Sequence, residues 1–506
     1  STRKGSSAAS DVYKRQVDVS NTSEPNLLST IVLEDPTHQI VKRGRKAFET
    51  ASASTTGTFA CASCHADGHT DQLLWVLNTP IVTGGDQIQP RTTMPIRGLR
   101  DTEPYHWDGI PGDPYGGVNA ANTDDYVPPN SDINDQTTAT RHLVDSGQAN
   151  TMHLFGEANT NNEGKLGLLT SAQRDDMAVF LLNVPYPPAQ RRPYDNVPSQ
   201  RARDGFRLFH IDGNGVGKRD VCGDCHRFPH MVSTNHPTIG MDTPTWRGAY
   251  DRFLILPQGR INMVTLPPFA ALAEQGIPER ELWRFSWGQR EEFDPVWDMA
   301  LEHSTGFSGA FARQMTLNQQ SITDDLTLDL VQSLEQSARE DAIILTGHGV
   351  LTEGQVGQTV SLRYKDNAYL SKHDRYSREE LFAKAKTGQF VGTLTAHHGT
   401  KSDADHPQPA IWTLGPIQEQ SGPQRFPVLH SEKSSMTISG RYIDADSYII
   451  VDGRRVAGKV ELKGDEVLIV ELAESPAAGM HLLQLQTPGG LISNDFIFHV
   501  TETSQP

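Results

Sequence analysis

Two stretches limit the architecture of this chain more than any other feature: FACASCH at residues 59–65 and VCGDCH at residues 221–226. Each contains Cys-x-x-Cys-His, with Cys61, Cys64 and His65 in the first and Cys222, Cys225 and His226 in the second. Together they use all four cysteines of the 506-residue sequence. Their surroundings repeat as well. Gly44 and Phe48 precede the first pair, Gly205 and Phe209 precede the second, and each of these positions is displaced by 161 residues. Downstream, RGLRDTEPYHWDG (97–109) aligns without a gap to RGAYDRFLILPQG (247–259). That alignment matches Arg97 with Arg247, Gly98 with Gly248, Asp101 with Asp251 and Gly109 with Gly259. A shared pattern of this length marks two copies of one folding unit.

Four chemistries use a Cys-x-x-Cys pair. A structural zinc site wants both pairs on one ion, or histidines at finger spacing, whereas here each pair is followed at once by its own histidine. A redox dithiol needs one pair in a βαβ context and no adjacent histidine. Disulfides between cysteines three apart explain neither the histidine nor the duplication. Covalent haem attachment accounts for every element: two thioethers fix the porphyrin, and the next histidine reaches the iron. The cofactors expected from the residues are therefore two covalently bound c-type haems, with Cys61, Cys64, His65, Cys222, Cys225 and His226 holding them.

A low-spin haem needs a second axial ligand. Met152 lies 87 residues after His65, and Met315 lies 89 residues after His226. Each stands before a helical stretch, LTSAQRDDMAVFLLNV (169–184) and SITDDLTLDLVQSLEQ (321–336). In the first, Met177, Phe180, Leu181 and Val184 recur at helical spacing, with Thr170 and Pro185 as start and stop signals. Met152 and Met315 are the candidate iron ligands, with His153 as a rival beside Met152. Met94 and Met263 are runners-up off the repeat register, and either methionine could instead be ordinary core filling. His69 lies too close to His65 to reach the opposite face of a ring. Arg97 and Arg247 are candidate partners for haem propionates, or else for ion pairs with Asp101 or Asp251. DGNGVG (212–217) looks like a calcium loop but lacks the closing acidic residue, so a plain turn is the simpler reading.

The formal net charge of −17 disfavours nucleic acid and anionic membranes, and points to a redox protein partner with a basic docking face. No run approaches the roughly 18 apolar residues of a spanning helix. Residues 1–16 include DVYKRQ and read as a sequencing adaptor, 17–35 as the remnant of an upstream domain. After about residue 338 the pattern turns to β. A small β module and linker are expected over 339–424, with a helix at 377–386. From 425 to 506, alternation such as Leu468, Val470 and Leu472, with turns at Asp452-Gly453 and Pro488-Gly489-Gly490, predicts a β-sandwich.

With these residues in hand, residues 36–338 resemble the bacterial di-haem cytochrome c peroxidase superfamily, which includes the di-haem enzyme that matures methylamine dehydrogenase. The resemblance rests on the tandem Cys-x-x-Cys-His sites, the RG stretch containing PYHWDG (104–109), and a methionine before the last helix. CASCHADGHTDQLLW followed by PYHWDG is similar to members fused behind β-propellers. Residues 479–500 look like the end of an IPT/TIG immunoglobulin-like domain, which implies binding or spacing. The expected architecture is two tandem, mainly α-helical cytochrome c domains (36–190 and 191–338), a β module, and an immunoglobulin-like β-sandwich. The resemblance implies export to the periplasm or cell surface of a bacterium. It also implies that Trp107 relays electrons between the haems. A peroxide site at the first haem would need a histidine that WVLNTPIV (75–82) lacks, and Asp108 and Glu157 are the candidate distal carboxylates. Electron transfer is the expected function, with peroxide reduction as the alternative. A further alternative is a surface-binding protein whose C-terminal β-domain takes a carbohydrate or protein partner.

Overall fold

The structure, a computed structural model, describes residues 13–32, 37–76, 90–103, 105–106, 112, 130–154, 156–187, 189, 191–194, 198–209, 246, 248–252, 290–303, 309–311, 313–398, 408–412, 428–430, 434–465 and 467–501. Strands β1 (Tyr13–Asp18) and β2 (Asn26–Val32) form an antiparallel hairpin. Helix α1 (Gln39–Glu49) and the single turn α2 (Cys61–Cys64) follow, then the short pair β3 (Leu74–Val76) and β4 (Pro90–Thr92). Helices α3 (Gln136–Ala149) and α4 (Ser171–Leu182) complete the first repeat. The second contributes α5 (Gln200–Arg207) and α6 (Arg290–His303).

Burial in α1 falls on Val41, Gly44, Ala47 and Phe48, one stripe at helical spacing. At Gly44 the helix lies so close to α4 that a Cβ would run into the Asp176 carbonyl and come within 2.7 Å of the Phe180 Cβ. At Gly205, α5 meets α6 in the same way, against the Pro295 carbonyl and 2.8 Å from the Val296 nitrogen. The repeat read from the sequence is therefore a crossed helix pair, built twice, with glycine at each crossing. Helix α4 begins where the sequence placed its cap: the Thr170 side chain accepts from the Gln173 amide, and Gln173 returns a bond to the Thr170 amide.

The expectation of two mainly α-helical domains needs correction. The described residues hold eight α-helices but also sheets of two, two, four, five and six strands, so the chain is a mixed α and β protein. The six-stranded sheet runs in the order β5 (Gln314–Leu317), β10 (Phe390–His398), β6 (Ile343–Glu353), β7 (Val356–Lys365), β8 (Ala368–Leu370), β9 (Arg375–Tyr376). Helix α7 (Asp325–Arg339) packs on this sheet, and α8 (Arg378–Lys386) packs on β10. The helical segment read as the end of the second repeat is α7. Its apolar residues Val331 and Leu334 join Leu317, Ile343, Leu345, Leu394 and Met315 in one core. Periodicity identified a helix there but carried no information about which element that helix packs on.

The C-terminal part is a two-layer sandwich. One sheet runs β11 (Ala410–Trp412), β13 (Ser435–Arg441), β17 (Val467–Leu472), β16 (Gly458–Lys463). The other runs β12 (Val428–His430), β19 (Phe496–Thr501), β18 (Gly479–Gln486), β14 (Tyr448–Val451), β15 (Arg454–Val456). Leu468, Val470 and Leu472 from one layer share a core with Leu483, Leu485, Phe496 and Phe498 from the other. Asp452 and Gly453 turn β14 into β15 with φ of 52° and 84°, the left-handed pair that a two-residue hairpin requires. The alternation predicts polar residues outward on β18, yet Gln486 is fully buried and its amide donates to the Ser333 carbonyl at 2.9 Å. The outer face of that strand is covered by α7.

The repeats dock on the sandwich. Phe206, Phe209, Trp246, Val296 and Met299 of the second repeat belong to the sandwich core cluster. From the first repeat, buried Glu103 lies 3.7 Å from buried Arg441 of β13, whose guanidinium also donates to the Ile133 carbonyl. At the sandwich edge, His481 donates from Nδ1 to Asp452 at 2.6 Å and from Nε2 to the Ala477 carbonyl at 2.7 Å. Burial opposes charge on this ring, but the Asp452 carboxylate outweighs it and holds the pKa above the ordinary histidine value. A raised folded-state pKa stabilises fully below the unfolded value of about 6.5 and loses that contribution as pH rises through the folded value. The urea midpoint is thus expected to fall across that window. Asp452→Asn should flatten the dependence, and an unchanged slope in that variant would refute the assignment.

Candidate functional site

The first Cys-x-x-Cys-His motif forms the single turn α2, which places Cys61 and Cys64 on one face, three residues apart. Ser63 caps the turn by accepting from the Ala60 amide at 3.0 Å, and the His65 amide closes it onto the Cys61 carbonyl at 3.1 Å. Both cysteines are free and half-buried. Burial pushes the Cys61 thiol up to about 11, and burial with the nearby Asp71 carboxylate also raises Cys64. Both thiols are therefore held protonated near neutral pH, with neither activated as a thiolate by its surroundings.

His65 is set by the helix pair behind it. Its ring lies 6.2 Å from the ring of Phe48, which in turn lies 5.5 Å from Phe180 of α4. Burial lowers the imidazole pKa, only partly offset by the main chain at Met94, so the ring is held neutral. A neutral imidazole is the form that binds a metal. Its Nδ1 is buried without a hydrogen-bond partner among the described residues.

Met152 is buried at 4% exposure in the same apolar cluster as Phe48, Ile96, Leu99, Met177 and Leu181, with Cys61, Ala62 and Phe59 packed against it. Its loop is tied to the segment before the motif. The Thr55 amide donates to the Met152 carbonyl at 2.9 Å, and the Leu154 amide to the Thr55 hydroxyl at 2.8 Å. His153 follows Met152 in the chain, and its buried Nε2 has no hydrogen-bond partner among the described residues. Met94 is half-buried, and Glu157 is half-buried and accepts from the Asn159 side-chain amide at 3.0 Å. Sequence reasoning missed Tyr105, whose buried hydroxyl lacks a well-formed hydrogen bond among the described residues and whose pKa burial raises well above its ordinary value. The pattern PYHWDG gave only the position of this ring, not its burial in the cluster.

The chemistry of this donor set fits a covalently held haem: two neutral thiols on one face, a neutral imidazole next in the chain, and a thioether in the apolar cluster against which Cys61 packs. Among the described residues no cluster of three or more His, Cys, Asp or Glu forms. Cys222, Cys225, His226, Arg247, Trp107, Asp108, Met263 and the loop 212–217 lie outside the described residues.

Arg97 takes the second of its two expected roles. It donates to Asp251 at 2.9 Å, an ion pair from one repeat to the other, and to the Asp67 carbonyl at 2.9 Å. His69 Nε2 donates to the Asp251 carbonyl at 2.5 Å, so this histidine serves the same inter-repeat contact.

Met315 is not the structural counterpart of Met152. Met152 precedes α4, the helix that crosses α1 at Gly44. Met315 follows α6, the helix that crosses α5 at Gly205, and sits in strand β5 opposite Leu394. It is 2% exposed in the core under α7. It also reaches the wall of a cavity of about 800 Å³ whose lining includes Phe206, Arg207, Asp324 and Leu482.

No helix among the described residues is long and apolar enough to cross a membrane. No family model matches the chain, and no curated protein matches it. With the strand content above, these results overturn the resemblance to the di-haem cytochrome c peroxidase superfamily and to IPT/TIG domains. Among solved structures, a hydrazine synthase from Kuenenia stuttgartiensis, pressurized with xenon, is 18% identical over 38% of this chain. The match spans about half of that protein, 51%, with a TM-score of 0.25, too low to carry an argument about fold.

Proposed function

We propose that this chain is an electron-transfer protein carrying two covalently bound c-type haems, one on each Cys-x-x-Cys-His motif. The observation that supports the reading is the apolar cluster that takes in Cys61, the buried Met152 and Phe48, with the neutral His65 ring against Phe48. A haem held there supplies a one-electron iron couple. The chain's own part is to fix it through Cys61 and Cys64, orient His65 against Phe48, and exclude water with the cluster around Met177 and Leu181. Met152 is the proposed sixth ligand at this site, since a soft thioether raises the potential and suits a carrier. The net charge of −17 favours a basic protein partner, whose docking should weaken as salt rises. Thioether attachment of haem in bacteria takes place outside the cytoplasmic membrane, so residence in the periplasm or at the cell surface belongs to this reading.

Denatured and acid-acetone-washed protein is expected to stay coloured and to weigh two haems more than its amino acids. Replacing Cys222 and Cys225 by alanine should remove one haem and leave the first. A colourless wild-type polypeptide would end the proposal. A high-spin first site that turns over hydrogen peroxide would replace the carrier by a peroxide-reducing enzyme.

A further inference from the structure

The cavity of about 800 Å³ at Met315 is built where three parts of the chain meet. The second repeat supplies α5, the six-stranded sheet supplies the start of β5, and the sandwich supplies the turn at Asp452 and Gly453 together with β18. A space of this size falls in the range that encloses a small organic molecule, about 300–1,000 Å³. Among the described residues of its wall, none comes from the cluster around Cys61.

Arginine marks the polar part of that wall. Arg192, Arg203, Arg207, Arg313 and Arg454 all line it, although the whole chain carries a net charge of −17. Arg203 and Arg207 stand one turn apart on α5 and are exposed, and Arg203 has no side-chain partner among the described residues. Arg192 donates to the Thr316 hydroxyl at 2.7 Å and to the Gln314 carbonyl at 3.4 Å, both neutral acceptors. Burial lowers its pKa, only partly offset by Tyr194, a cost that an entering anion opposes. Of the carboxylates on the wall, Glu302 accepts the Ser199 amide and hydroxyl at 2.7 and 3.0 Å. Asp324 caps α7 through the Leu326 amide and pairs with Arg454 at 2.9 Å. Asp452 holds His481 and the Leu482 amide, and Asp495 is buried. The acids are thus engaged in holding the fold, while the α5 arginines face the open space. Phe206, Met315, Leu330 and Leu482 give the same cavity an apolar wall.

We propose that this cavity binds a small organic anion with an apolar body, its oxyanion head held by the α5 arginines and its body by the wall of Phe206, Met315 and Leu482. A guanidinium presents paired N–H donors at the spacing of carboxylate or phosphate oxygens. The apolar side chains supply the contact area that a bare inorganic ion cannot use. The site needs no haem and stands apart from the electron-transfer reading.

The test titrates the full chain by calorimetry with octanoate, octyl phosphate, 1-octanol and inorganic phosphate. At least one octyl anion should bind one to one, about tenfold or more tighter than both 1-octanol and inorganic phosphate. The tighter of the two identifies the head as carboxylate or phosphate. Arg203→Gln combined with Arg207→Gln should weaken that anion by about tenfold or more, equivalent to about 1.4 kcal/mol. Both residues are exposed, so the urea midpoint of this variant should hold. Arg43→Gln combined with Arg45→Gln takes the same charge from α1, outside the cavity, and should bind within about twofold of wild type. Octyl anions that bind no tighter than 1-octanol or inorganic phosphate overturn the proposal. So does an equal loss in the two double variants, or wild-type binding in the α5 variant. A chain without haem would sink the electron-transfer reading and leave this test intact.

Discussion

Gly205→Ala is expected to cost about 3 kcal/mol or more of stability, at the upper end of overpacking penalties. The new Cβ would be driven into the Pro295 carbonyl on the facing helix, with the Val296 nitrogen only 2.8 Å away. Main-chain atoms of a helix cannot step aside as a long side chain can, so α5 and α6 must separate along their whole contact. Alanine's better helix propensity, worth about 1 kcal/mol over glycine, offsets only part of this. Gly44→Ala should behave alike, because its Cβ would meet the Asp176 carbonyl and the Phe180 Cβ. Gly147 is the internal control. It lies in α3 with nothing within 4 Å of an added Cβ, so Gly147→Ala should stabilise by about 0.5–1 kcal/mol. Urea midpoints of the three variants check the argument. Equal midpoints for Gly205→Ala and Gly147→Ala would mean that the helix crossings do not hold the repeats together.

These glycines also mark how far the sequence could be read. Gly44, Phe48, Gly205 and Phe209 were visible as a repeat because a close helix crossing needs a residue without a side chain at one fixed place. Thr170 and Asp452-Gly453 were visible because capping and left-handed turns are local chemistry, written within a few residues. Other features depend on partners far along the chain. Nothing near 321–336 says that this helix lies on a sheet five of whose six strands come after it, and nothing near Gln486 says that α7 covers it. Tyr186 reads as one aromatic in a proline-rich connection until Gly98 and Gly248 of the two RG stretches close on its ring. Arg97 could be assigned to a propionate or to an aspartate from sequence, and only the fold brings Asp251 from the other repeat within 2.9 Å. The Cys61 motif gave an expectation about chemistry from its local spacing, whereas the two expected helical domains gave way to a mixed α and β chain, because helix periodicity does not record which strands pack on a helix.

The methionines separate these two kinds of knowledge experimentally. Met315→Ala should cost about 2–5 kcal/mol, the usual range for truncating a buried methionine. Its side chain is 2% exposed and shares a core with Phe311, with Leu317 and Leu394 of the six-stranded sheet, and with Leu334 of α7. The haem spectrum of that variant should be unchanged. Met152→Ala should give the reverse signature at the first site: a high-spin ferric spectrum and a lower potential, since the soft thioether that favours the ferrous state is gone. A stability loss should accompany it, because Met152 also fills the cluster between Phe48 and Met177. In chain order the counterpart of Met152 must lie between α5 and α6, as Met152 lies between α1 and α4. Met231, Met241 and Met263 all meet that condition, and one of these three replaced by alanine is expected to turn the second site high-spin. A spectrum altered by Met315→Ala and untouched by all three of these variants would reverse the assignment. It would also mean that the helix pairing at Gly205 does not define the second haem unit.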